Sequence, residues 1–408
     1  MSTITKPILT DETGQRIATA VERIAVAQAP VDITDFEQIR QIVQLGLAQQ
    51  YFKIGDQVIV QWSDGSHTYD MPWDVVDFGP AVDEDGVTHN NAMWLQSHYA
   101  LPGVQFSGNN AFYVPTAEMP IGTYGFTIGN NWGSNCVAGK KYEFTTTKKI
   151  PANGQLVLGT ATSNTSGLPD TNPANWRVRT FANGAQVTPD EILELTEVET
   201  FSGTDLGTLS SSTKFATSGI NNMQRAAYGY NRWSVSAIRQ WLNSSAGAGE
   251  WWTQKYAHDH RPDQLASMQG FEAGLPAGFL SIVQPVKMIT ALNTVSDPDI
   301  GASEDTVDRF FLPSLQQESC APQVANIEGT AWQYWIDRLG KTQAQYETLP
   351  AHIRYLISNH AAAQTVRLRS AYRGYASLAW HVYSSGYVGS YHYYATSASC
   401  PAPACVIW

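Results

Sequence analysis

The sequence predicts an α+β protein, and three observations carry that expectation. Apolar residues in the first fifty positions recur at helical spacing, whereas from Tyr51 onward they recur at every second position. Charged residues make up only 15% of the 408-residue chain, well below the roughly 25% of an average globular protein. Their place is taken by 13 tryptophans, 19 tyrosines and 32 glycines. That balance suits a β-rich, loop-rich, rigid extracellular or virion-type protein better than an enzyme built of charged helices. The length allows two or three domains.

Residues 1–50 are expected to be helical. Ile17, Val21 and Ile24 fall on one face beside Ala20 and Ala27, giving either an anchor or oligomer contact or a frayed arm. A second helix is expected to open on Thr34-Asp35-Phe36-Glu37, a capping-box pattern, with Phe36, Ile39, Val43 and Leu47 along one stripe. KIGDQVIVQW, SDG and SHTYDMPWDVVDF then read as strand, turn and strand, followed by a small α/β portion around His89–Leu101. Residues 103–220 carry short Thr-, Tyr-, Phe- and Val-rich runs between Asn/Gly/Pro turns and predict a β-sandwich or meander. Within them TPDEILELTEV reads as a helical turn and FSGTDLGTLSSSTKFATSG as loop.

The composition shifts again at Asn221. NRWSVSAIRQWLNS predicts a capped amphipathic helix with Val235, Ile238, Trp241 and Leu242 on one side. The last forty residues alternate apolar and polar side chains around glycines and predict a terminal hairpin or meander. Arg373 is the last charged residue, yet seven tyrosines lie between Tyr372 and Tyr394. Tyrosine joins a large contact area to a hydrogen-bonding tip and loses little entropy on binding; serine and glycine add adaptable contacts. Burying seven phenols in 23 residues would demand a partner for each, so an exposed binding surface is expected over a packed tyrosine corner.

Other chemistry is sparse. His258-Asp259-His260 offers two imidazoles, but spacing supplies no third metal ligand. Asp297, Asp299, Glu304, Asp305 and Asp308 form an acidic loop that could take calcium; it lacks helix–loop–helix spacing, and a solvated loop is the expected reading. Cys136, Cys320, Cys400 and Cys405 fit no zinc pattern and are expected to be buried thiols, with a Cys400–Cys405 disulfide as the alternative. The net charge of −11, without a basic patch, argues against nucleic acid, and no apolar run is long enough for membrane insertion. MSTITKPILT lacks the pattern of a signal peptide, so synthesis in a cytoplasm is expected.

YGYNRWSVSAIRQWLNS (228–244), the Trp251-Trp252 pair and VRLRSAYRGYASLAWHVYSSGYVG…PACVIW (366–408) resemble the variable proteins of diversity-generating retroelements. Those proteins are often phage- or prophage-encoded and carry a C-type-lectin-like domain related in fold to formylglycine-generating enzymes. The block GDQVIVQWSDGSHTYDMPWDVVDFG…HNNAMWLQSHYAL resembles the first half of the same domain. The resemblance implies a split lectin-like domain, 51–102 and 221–408, with 103–220 as a β-rich insertion and 366–408 as the ligand-binding segment. Adenine-directed mutation of template asparagine codons cannot yield Lys, Glu, Gln, Met or Trp; residues 374–408 contain none of the first four, and their tryptophans, Trp380 and Trp408, occupy framework positions.

By resemblance the variable, ligand-contacting positions are Tyr372, Tyr375, Ser377, Leu378, His381, Tyr383, Tyr387, Gly389, Ser390, Tyr391, His392, Tyr393 and Tyr394, held by Trp380, Val382, Val388, Val406 and Ile407. It further implies a non-enzymatic phage tail or virion-surface protein that needs no cofactor. Its partners would be a bacterial surface protein or glycan, its own subunits in a homo-oligomer such as a trimer, and other virion proteins through residues 1–50. The rivals are an enzyme of the formylglycine-generating or glycan-acting type, in which Cys400 and Cys405 would serve copper, and a structural virion decoration protein. The sequence CPAPAC does not match the copper motif.

Overall fold

The computed structural model describes residues 35–131, 136–160, 172–211, 222–325, 327–340, 348–389 and 394–408. The expected helix through Ile17, Val21 and Ile24 lies outside them. The chain is mixed α+β, built from several small sheets with short helices between them.

The main sheet has four antiparallel strands in the order Gln57–Ser63, Thr68–Val82, Thr88–Ser97 and Ala404–Ile407. Its first two strands form the expected hairpin, and alternation along the first buries Val58, Val60 and Trp62. The third corrects the expected α/β portion: His89–Leu101 is mostly one strand, because Ala92, Met93, Trp94 and Leu95 form a continuous apolar run covered on both faces. The fourth is the end of the chain, with Val406 opposite Trp94. Residues near 60 and near 405 therefore share one core, which also takes in Trp233, Trp241, Trp332 and Trp335.

The helix Phe36–Gln44 starts one residue later than the capping box implied. Asp35 is the cap, its carboxylate accepting the Gln38 N–H at 3.0 Å, while Glu37 turns outward to Arg40. Ile39, Ile42 and Val43 are buried in the main core, so the described part of the N-terminal region is a wall of that core and not a detached arm. The helix expected in NRWSVSAIRQWLNS is shorter than its stripe suggested. Ser236 caps Ala237–Leu242, which buries Ile238, Trp241 and Leu242, whereas Val235 belongs to a preceding turn and is half-buried.

Between the halves of the main core lies a β-rich unit of two sheets. One orders Thr196–Val198, Lys141–Thr145, Thr123–Ile128 and Thr204–Leu209; the other orders Gln155–Gly159, Arg177–Phe181 and Glu191–Glu194. Its separate core contains Phe126, Phe144, Leu156, Leu158, Trp176 and Val178. Two readings are corrected here. TPDEILELTEV forms the strands Glu191–Glu194 and Thr196–Val198, because pairing with neighbouring strands overrides its weak helical preference. FSGTDLGTL, expected as loop, contributes Thr204–Leu209, aligned parallel to Thr123–Ile128. The boundaries also shift. Val104 and Phe106 pack in the main core, while Met223, Ala226, Ala227 and Tyr228 pack in the β-rich one.

Toward the C-terminus, Val366–Ala371, Ala379–Val382 and Val388–Gly389 form a three-stranded antiparallel meander, as expected. The strand Ser303–Asp308 occupies half of the expected acidic loop and pairs with Val286–Ala291. No described helix is long and apolar enough to cross a membrane.

Candidate functional site

The tyrosine-rich segment is tied to the protein chiefly through its main chain. Two buried side chains act as clamps. Asn231, in the turn before the Ser236-capped helix, donates from Nδ2 to the carbonyls of Leu378 (2.6 Å), Tyr375 (2.8 Å) and Tyr372 (3.4 Å), and its own N–H donates to Ala376 O (2.8 Å). Its Oδ1 accepts from Asn293 at 2.9 Å, and Asn293 in turn donates to Asp297 at 2.7 Å, which fixes the amide's orientation. The Gln224 side-chain Oε1 accepts the Ala376 N–H at 2.7 Å. The 372–378 loop thus rests on atoms that every residue type possesses.

Arg367 is the second clamp. It lies fully buried in the first strand of the meander and donates to the carbonyls of Ala379 (3.3 Å), Tyr394 (2.8 Å) and Ser397 (3.3 Å), and to Ser399 Oγ (3.0 Å). A guanidinium's fixed fork suits several carbonyls at once. Two strand positions along the same strand, Arg369 bonds Leu312 O, Gln317 and Glu328 O. This explains how a Val-Arg-Leu-Arg strand can be buried throughout.

On this platform the rings form two surface pairs. Tyr372 and Tyr375 have centroids 5.4 Å apart, with Tyr372 also 5.6 Å from Trp380; Tyr383 and Tyr387 are 5.5 Å apart. Tyr375 is 40% exposed, and Tyr372, Tyr383, Tyr387 and Tyr394 are half-buried. The turn between the second pair needs Gly386: its φ is +81°, and a Cβ there would stand 2.1 Å from Leu349 O.

Not every expected contact position faces outward. Ser377, Leu378, His381 and Gly389 are buried, which corrects the reading of these four as displayed side chains. The loop carrying Ser377 and Leu378 folds down over Asn231, and His381 sits on the central strand of the meander opposite Arg367, where both faces are covered. Burial and the adjacent guanidinium push the His381 imidazole down to about 3. A Cβ at Gly389 would come within 2.7 Å of the Tyr387 ring. Tyr394 stacks on Tyr228 at 3.7 Å and helps hold the segment. Ser390, Tyr391, His392 and Tyr393 lie outside the described residues.

The other sequence candidates are engaged elsewhere. Asp297 accepts from Tyr230 and Asn293, Glu304 from Arg232 at 2.6 Å, and Asp308 from Arg239 (2.6 Å) and Trp233 (2.9 Å); Asp305 pairs with Lys287 at 2.6 Å. His258 and His260 are both buried, and His258 meets Arg225 at 2.9 Å. Among the described residues no three His, Cys, Asp or Glu side chains group to hold a metal ion. All four cysteines are free, so the disulfide alternative does not hold here: Cys405 packs in the main core, and Cys400, its thiol pushed up to about 11 by burial, lies against Ala100, Val366 and Ala402.

Sequence reasoning missed Asn231 and Arg367. The available signal was arginine at alternate positions of an otherwise apolar strand, which marks guanidinium groups used inside. Comparison with curated proteins and with solved structures returns no match. Residues 207–407, just under half of the chain and including both clamps, are similar to a family described as a domain of unknown function (DUF6273).

Proposed function

We propose that the chain is a receptor-binding protein of a phage tail or virion surface, in which a C-type-lectin-like platform presents the C-terminal tyrosine segment to a bacterial surface protein or glycan. One observation carries the reading. Asn231 and Arg367 hold the segment by backbone carbonyls, while the rings of Tyr372, Tyr375, Tyr383 and Tyr387 meet one another at the surface. Such a support leaves the displayed residues free to change without loss of the fold, which a diversified binding segment requires. Rigid tyrosines give contact area at low entropic cost, and a homo-oligomer, such as a trimer, would add avidity. Residues 1–50 would carry the attachment to other virion proteins.

The test is a triple variant, Tyr375→Ala, Tyr383→Ala and Tyr387→Ala. Adsorption of the purified protein to bacterial cells should fall at least about tenfold, as loss of anchor residues does, with the melting temperature and oligomeric state retained. Full adsorption by the triple variant would refute the proposal, and loss of assembly would favour the decoration-protein reading.

A further inference from the structure

A cleft of about 350 Å³ opens between the main sheet and the strand Val286–Ala291, lined by Asp77, Gly79, Trp94, Met288, Gln317 and Trp332 among others. None of these residues belongs to the tyrosine segment. The strand Thr68–Val82 bulges between Val75 and Asp77 and again between Gly79 and Ala81, and such irregularities re-aim side chains. Three N–H groups of the lining have no protein acceptor among the described residues, as is also true of the Trp73 indole outside the cleft. Trp62, Trp233, Trp241, Trp251, Trp335 and Trp380 each donate their indole N–H to a nearby acceptor. Trp94 and Trp332 donate theirs to no described residue, although both rings are at least nine-tenths buried. Gln317 is 97% buried and uses its Oε1 to accept from Ser314 and Arg369, yet its Nε2 also finds no acceptor among the described residues. Three N–H donors therefore remain unused beside one carboxylate, Asp77, whose own partners are the Phe78 and Gln333 N–H groups.

We propose that this cleft binds one neutral hydroxyl-bearing ring, a monosaccharide unit, with its oxygens accepting from Trp94, Trp332 and Gln317 and one hydroxyl donating to Asp77. The choice follows from the lining. Met288 and Ile289 supply an apolar wall for a ring's C–H face. The two cations of the lining are already engaged, Lys287 with Asp305 at 2.6 Å and Arg369 with Leu312 O and Glu328 O. An anionic ligand would therefore meet the Asp77 carboxylate without a free counter-charge, and a cationic one would meet Lys287, Arg369 and the three N–H donors. The volume stands near the lower end of small-molecule sites, roughly 300–1,000 Å³, and so admits a single ring unit over a long chain. The unit could be a free sugar or the end of a glycan, and both present the same hydroxyls.

The experiment is saturation-transfer NMR on the intact chain. The probes are glucose, galactose and N-acetylglucosamine, their methyl glycosides, and propionate and propylammonium as charged controls. Gly79 lies two positions from Asp77 on the same strand and a Cβ there meets nothing within 4 Å, so Gly79→Trp is the variant chosen to fill the cleft. Wild-type transfer to at least one sugar, abolished in Gly79→Trp and reduced about fivefold in Trp332→Phe by loss of one hydrogen bond, is the expected result. Binding of the methyl glycosides would identify a glycan end as the source; binding of the reducing sugars alone would identify a free sugar. Absence of transfer to every sugar, preferential transfer to a charged probe, or sugar transfer undiminished in Gly79→Trp would each overturn the proposal. If Gly79→Trp loses its cooperative melt, Trp94→Phe and Trp332→Phe decide, since both keep the ring and remove only the donor; undiminished transfer in the two together overturns it.

Discussion

Asn231 shows how one short side chain can support a functional surface that it never touches. Its amide is buried and satisfied on both sides, receiving from Asn293 and giving to the loop that carries Tyr372 and Tyr375. Replacing Asn231 with Ala leaves the carbonyls of Leu378, Tyr375 and Tyr372 without that donor, a loss of about 3 kcal/mol for a buried polar network. Denaturant melts should report that loss, and hydrogen exchange should report early opening of residues 372–378. An Asn231→Ala protein whose exchange in this loop matches wild type would remove the clamp from the account. The approximate helix starts and the tyrosine cluster were legible in the sequence because they depend on neighbours a few residues away. Asn231 was not, since its partners lie about 140 residues further along the chain.

Among the elements, the last strand matters beyond its length. Ala404–Ile407 completes the main sheet against Thr88–Ser97, the Gln284 N–H donates to Val406 O at 2.9 Å, and Phe311 bridges to Ala404. Val406 and Ile407 are wholly buried, each contributing about 2 kcal/mol of burial. Deleting 404–408 should therefore abolish the cooperative thermal transition, measured by near-ultraviolet circular dichroism; a variant that still melts sharply would show the strand to be dispensable. Three of the elements that sequence reasoning misread, Glu191–Glu194, Thr196–Val198 and Thr204–Leu209, lie at the edges of the β-rich unit's sheets and bury little. Their polarity hides the periodicity, and only pairing with Arg177–Phe181, Lys141–Thr145 and Thr123–Ile128 makes them strands.

At the scale of the molecule, stability is coupled to pH through histidines in three separate places. His381 in the meander and His260 near the β-rich unit are held down at about 3, and His352 beneath the main core at about 4, in each case chiefly by burial. The unfolded chain takes up these protons below about 6.5, whereas the folded chain resists them. The stabilising contribution is complete above that value and declines as the pH falls toward the folded values, by about 1.4 kcal/mol per pH unit for each histidine. Urea melts between pH 6.5 and 4.5 should show this decline, and His381→Gln should reduce its slope by about one proton. An unchanged slope in that variant would mean that His381 is not kept neutral.

The sequence by itself determined the mixed α+β character, the first hairpin, the terminal meander and the gathering of tyrosines near the C-terminus, because each is written in periodicity or composition over a short span. Only the tertiary structure decided which of those side chains reach the surface, where the β-rich unit begins and ends, and that the last strand closes the first sheet. Those outcomes rest on burial and on hydrogen bonds between residues far apart in the chain, so a local pattern carries no record of them.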